Sequence, residues 1–73
     1  VTLMKETVKI EGEYLTLGQL LKETGTIDTG GMAKWFLQEY TVYVNDEADE
    51  RRGRKLYPGD VVRLEGGETF VLE

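Results

Sequence analysis

At Thr41 the hydrophobic period of this chain changes, and that change limits what it can fold into more than any other feature. Before it, Leu17, Leu20, Leu21 and Thr24 fall at i, i+3, i+4 and i+7, as do Ala33, Phe36, Leu37 and Tyr40. Each set forms the buried face of a helix. After it the period is two: Val42 and Val44 point inward with Tyr43 outward, and VVRLE and TFVL read as further strands. A shorter alternation of Val8 and Ile10 against Thr7 and Lys9 precedes the helices. A strand, two helices and then three or four short strands predict an α+β fold, two helices packed on a small, mostly antiparallel sheet.

The boundaries are marked chemically. In LTLGQLLKETG, Thr16 is an N-cap and Gln19 completes a capping box. Leu15 and Leu20 have the spacing of a hydrophobic staple, and Gly25 stops the helix. The second helix begins near Gly30 and Gly31, with Asp28 or Thr29 as its cap. Asn45 and Asp46 mark one turn, and Gly66 with Gly67 a hairpin. Pro58 and Gly59 form another turn, with proline second and glycine third. Seventy-three residues form one domain, 1–73, with a thin core, since a chain of this size buries only about 60% of the surface its unfolded form exposes.

Several function classes drop out. With no cysteine there is no disulfide scaffold, thiolate metal site or cysteine nucleophile. With no histidine the commonest general base and metal ligand are missing. No nucleophile–base pair emerges, so neither an enzyme, a cofactor nor a small-molecule substrate is expected. A calcium loop opening at Asn45 would put Glu50 where the turn needs glycine and Leu56 where it needs a bidentate glutamate. VTLMKETVKI has no long apolar run, so no signal peptide or membrane partner is expected and the default is a soluble, cytoplasmic protein. The net charge of −5 argues against nucleic acid as a partner, but the balance reverses locally. RRGRK at residues 51–55 carries four positive charges, leaving −9 on the other 68 residues, and DEADE at residues 46–50 carries four negative ones.

Three features are candidates for binding. In DTGGMAKWF, Gly30 and Gly31 stand at a helix start, although glycine costs roughly 0.8–1 kcal/mol against alanine inside a helix. They leave backbone N–H groups open to a phosphate, with Thr29 as cap and Lys34 one turn in. The plainer reading is a turn that needs positive φ, and Asp28 competes with an anion. Trp35 falls opposite the buried face, on the outward half with Gly31, Lys34 and Gln38. It is either a stacking surface for an unpaired base or is covered by the N-terminal strand or the last hairpin. The covered reading stands slightly ahead, because tryptophan is rarely left bare. RRGRK is either a phosphate-contacting loop bent at Gly53 or a hairpin arm that neutralises DEADE. Both hold if two of its charges pair across the hairpin and two face outward.

In this order the residues resemble the S4 RNA-binding domain family. LGQLLKETG is its first helix, Thr29 and Ala33 open its second, and VYVN at residues 42–45 and YPGDVV at residues 57–62 follow. TGGMAKWFLQEY with RRGRKLYPGDVV is similar to the small stand-alone S4 proteins of the YaaA/YbcJ type, from about Val8 onward. The resemblance implies the αL motif, with RNA met along the second helix and the adjoining loop. By position it implies contacts from Thr29, Gly30, Gly31 and Lys34, then from Arg51, Arg52, Arg54 and Lys55, with Trp35 or Tyr43 as stacking surfaces. Many S4 domains carry arginine where Gly30 stands, so here backbone N–H contacts replace a side-chain contact. The implied function is non-enzymatic recognition of a structured RNA, ribosomal RNA or an assembling ribosomal particle. The alternative is a protein-interaction module that uses the acidic surface and the exposed aromatic, with RNA binding lost. A small-anion-binding regulator at Gly30 and Gly31 is a third reading.

Overall fold

The computed structural model describes residues 5–73; residues 1–4, the start of the stretch read as free of a long apolar run, lie outside the described residues. Strand β1 (Lys5–Val8) leads to a two-residue strand β2 (Leu15–Thr16), helix α1 (Leu17–Glu23) and helix α2 (Met32–Glu39). The remainder is extended: β3 (Val42–Val44), β4 (Glu47–Ala48), β5 (Lys55–Leu56), β6 (Val61–Leu64) and β7 (Thr69–Leu72). One sheet has the order β1-β7-β6-β3-β4, and β2 pairs with β5 apart from it. Among the described residues every pairing is antiparallel except β1 with β7, where Lys5 lies opposite Thr69 and Val8 opposite Leu72. The Ile10 N–H donates to the Glu73 carbonyl and the Glu73 N–H to that of Val8, both at 2.9 Å, which extends this ladder.

The helices supply Leu17, Leu20, Leu21, Ala33 and Leu37 to the core, and the sheet answers with Val42, Val44, Val62, Leu64, Phe70 and Leu72. Ile10, Ile27 and Leu56 complete it. The opposite face of the sheet is partly wet, as one-sided antiparallel sheets usually are. There the Arg63 guanidinium lies 4.7 Å over the ring of Tyr43, its partner in register. Tyr43 is therefore a half-buried residue under a cation, not an open stacking surface.

Local signals act as their chemistry dictates. The Gln19 N–H donates to Thr16 Oγ1 at 3.3 Å and the Thr16 N–H to Gln19 Oε1 at 3.0 Å, closing the capping box. Gly25, at φ +75°, ends α1 in a Schellman motif, with Thr26 N–H on Leu21 O and Gly25 N–H on Lys22 O. Asn45 and Asp46, at φ 51° and 69°, make the tight turn between β3 and β4. Asn45 also accepts from the Val61 N–H at 3.0 Å and donates to Asp60 Oδ1 at 3.1 Å, while Asp60 Oδ2 accepts from the Tyr57 N–H at 2.8 Å. The VYVN and PGD stretches thus meet in one joint, and their polar residues serve the architecture.

Helix α2 departs from expectation at its end. Ala33 and Leu37 are buried and Phe36 half-buried, but Tyr40 is 44% exposed. The helix stops at Glu39, so Tyr40 turns extended (φ −124°, ψ 141°) and leaves the spiral that would have carried it inward. Among the described residues no helix is long and apolar enough to cross a membrane.

Candidate nucleic-acid interface

The basic loop is anchored on both sides. Just past β4, the Asp49 side chain is only 6% exposed and receives Arg51 Nε at 3.1 Å, Arg51 Nη2 at 2.9 Å and Arg54 Nη1 at 2.7 Å. It also accepts from the Arg51 backbone N–H at 2.9 Å. Hydrogen bonds from Arg51, joined by one from Arg54, hold the Asp49 carboxyl well below the usual carboxylate range against the opposing push of burial. Across the loop, the Leu17 N–H donates to the Arg54 carbonyl and the Gly18 N–H to the Arg52 carbonyl, both at 2.8 Å. First-turn amides of a helix have no partner within it, so the loop and the capping box together satisfy the start of α1. Gly18 permits this approach: a Cβ there would stand 3.2 Å from the Arg52 carbonyl oxygen and 3.5 Å from the Ala33 Cβ.

The loop's charges divide two and two, the case in which both readings of the basic run hold. Arg51 and Arg54 pair with Asp49, whereas Arg52 and Lys55 form no ion pair among the described residues. Lys55 Nζ instead sits 4.9 Å over the ring of Tyr14, which tilts against Tyr57 at 6.2 Å. Of the acidic run, Asp49 alone answers the arginines. Arg52 and Gly53 line a groove of about 390 Å³ whose other walls include Gln19 and Lys22 of α1 and Gly30 and Ala33 at the start of α2. Lys22 was missed in reading the sequence. Its only signal is its place one turn after Gly18, on the outward side of α1.

The start of α2 is bare. Gly31 is its N-cap, in helical conformation (φ −66°, ψ −23°), and no side chain caps it, so neither Asp28 nor Thr29 takes the expected role. The Met32 and Ala33 amides turn back onto the Thr29 and Gly30 carbonyls at 3.1 and 3.2 Å. The Gly30 and Gly31 amides donate to no acceptor among the described residues. Neither glycine has positive φ, which overturns the plainer explanation for the pair. A Cβ on Gly30 would meet nothing within 4 Å, and one on Gly31 only Thr29 Oγ1 at 3.9 Å. Lys34 is exposed one turn on from Gly30, on the same side.

Trp35 is 53% exposed, so the expectation that a strand or hairpin covers it fails. The turn between β6 and β7 faces Phe36 and Tyr40 across a cleft instead. Trp35 stands about 200° round the helix from Ala33, which faces the groove. It meets the Tyr40 ring edge-on at 6.4 Å. The fold therefore brings Gly30, Arg52 and Lys22 to one groove, with Thr29, Gly31 and Lys34 exposed beside it, and leaves Trp35 on another side.

Residues 8–72 match the family model described as S4 domain. A curated relative, the "Probable ribosome maturation protein RlbA" of Bacillus subtilis (strain 168), is 58% identical over 69 residues, covering 94% of this chain and 97% of its own length. No solved structure gives a significant match.

Proposed function

The chain belongs to the S4 domain family, and on that premise we propose that it is a non-enzymatic, cytoplasmic RNA-binding module, one domain over residues 1–73, that recognises ribosomal RNA or an assembling ribosomal particle. The relative named for ribosome maturation supports the ribosomal setting. The observation that carries the reading is the docking of the basic loop on α1, through the 2.8 Å bonds from Leu17 and Gly18. It puts Arg52 on the same groove as Lys22 and the bare Gly30. An RNA phosphate at the glycines meets free amides and the positive end of α2, while Arg52, Lys22, Lys34 and Lys55 supply full charges around it. Arg51 and Arg54 serve chiefly to hold the loop in place. Shape and backbone dominate such recognition over base sequence.

The test is binding of labelled ribosomal RNA fragments at 50 and 200 mM salt, wild type beside Lys22→Ala/Arg52→Ala. That pair leaves the Asp49 clamp intact, unlike removal of the whole basic run. Steep salt dependence and a loss of about tenfold or more in the variant are expected. Absence of binding, or equal binding by the variant, overturns the reading.

A further inference from the structure

The aromatic side of α2 that the groove does not use forms a second surface. Trp35 and Tyr40 are both exposed, and the Tyr40 ring lies 4.9 Å from that of half-buried Phe36, which links it to the core. Tyr40 is the shared wall of two clefts. One, of about 260 Å³, is lined by Phe36 and Leu64, with Glu65 and Glu68 at its rim. The other, of about 340 Å³, lies toward β4 and carries Glu39 and Glu50, beside an Asp49 already met by its two arginines. No lysine or arginine lines either cleft, and none of the four glutamates is in an ion pair among the described residues.

We infer that this aromatic groove docks an extended Lys/Arg-rich segment of a partner protein, laid across Tyr40. Consecutive side chains of an extended chain point to opposite sides, so neighbouring cations straddle the tyrosine and one enters each cleft. The aromatic walls cover the aliphatic stems and attract the charge through their faces. The glutamates close charge-assisted hydrogen bonds at the tips. RNA is the wrong occupant, because its phosphates would meet four uncompensated carboxylates. The inference stands on this face alone and does not depend on RNA binding at the groove.

Trp35 is the one tryptophan of the chain and touches Tyr40, so its emission reports on the site directly. The intact protein is titrated with an end-capped peptide of about ten residues, built of adjacent Arg-Lys pairs separated by Gly, and with its Glu-for-Arg/Lys counterpart. A saturable change in Trp35 emission is expected with the basic peptide only. Affinity is expected to fall about tenfold in Tyr40→Ala and in Glu65→Gln/Glu68→Gln, whose side chains stand exposed in or beside a turn. It is expected to hold in Glu6→Gln/Glu23→Gln, which removes the same charge elsewhere on the surface, and in Lys22→Ala/Arg52→Ala. The inference is overturned if the basic peptide does not bind or if the Glu6/Glu23 variant loses as much affinity. It is equally overturned if the groove variants weaken ribosomal RNA binding instead.

Discussion

Three glycines separate what this chain needs for folding from what it offers to a ligand. Gly18 is required sterically, since its missing Cβ leaves room for the Arg52 carbonyl. Gly18→Val is expected to cost about 1–3 kcal/mol, read from urea midpoints, because the loop must lift from α1 to admit the branch. Gly30 and Gly31 have open space and no positive φ. Alanine at either is expected to stabilise by about 0.4–1 kcal/mol through the unfolded chain. If the bare amides hold phosphate, the same variants bind RNA less tightly, so stability and affinity move in opposite directions. Asp49 makes a pH prediction. Its carboxyl pKa is depressed in the folded state by Arg51 first and Arg54 after it. The stability it lends is therefore fully present above the unfolded carboxyl pKa, about 4, and is lost as pH falls from there through the folded value. Against wild type, Asp49→Asn is expected to be less stable by about 1–3 kcal/mol at pH 7. The gap stays level on acidification and narrows only below about pH 4.

Among the elements, α1 is the junction on which the groove depends. Its start is satisfied twice over, by the capping box from Thr16 and Gln19 and by the carbonyls of Arg52 and Arg54. Thr16→Ala is expected to cost about 0.5–2 kcal/mol. Hydrogen exchange at the Leu17 and Gly18 amides is expected to quicken in Thr16→Ala and Gly18→Val and to stay unchanged in Gly30→Ala. Equal protection in all four proteins would mean that the loop does not rest on this turn. Helix α2, by contrast, divides its labour by face. Ala33 and Leu37 enter the core, Lys34 stands on the side of the bare glycines, and Trp35 leads to Tyr40. Two partners of opposite charge can then use one short helix without competing for the same atoms.

Across the whole molecule, a net charge of −5 coexists with a local excess of unpaired cations. If Lys22, Lys34, Arg52 and Lys55 contact four phosphates, RNA affinity is expected to fall roughly 50- to 150-fold between 50 and 200 mM salt. Removing two of them is expected to flatten the log–log slope by about 1.5. The acidic remainder of the surface repels RNA outside the groove, so binding to unrelated duplexes is expected to be weak at the upper salt concentration. A slope that the Lys22→Ala/Arg52→Ala pair does not change would place the phosphates elsewhere.

The sequence by itself determined whatever is decided within a turn of chain. The capping box, the Gly25 stop, the turns at Asn45 and Asp46 and at Pro58 and Gly59, and the change of period at Thr41 depend on backbone dihedrals and on partners a few residues away. Of the candidate site, the glycine pair and the basic run were legible on the same terms, and the even division of the run's charge was one of the readings the sequence left open. The tertiary structure alone decided that β1 and β7 run parallel and that Asp49, among the acidic neighbours, takes two arginines. It alone brought Lys22 to Arg52 and Gly30, and left Tyr40 with Trp35 in solvent. Those outcomes depend on which distant segments meet when a thin core closes. No local propensity carries that information, because the contact is made by packing and has no counterpart in spacing along the chain.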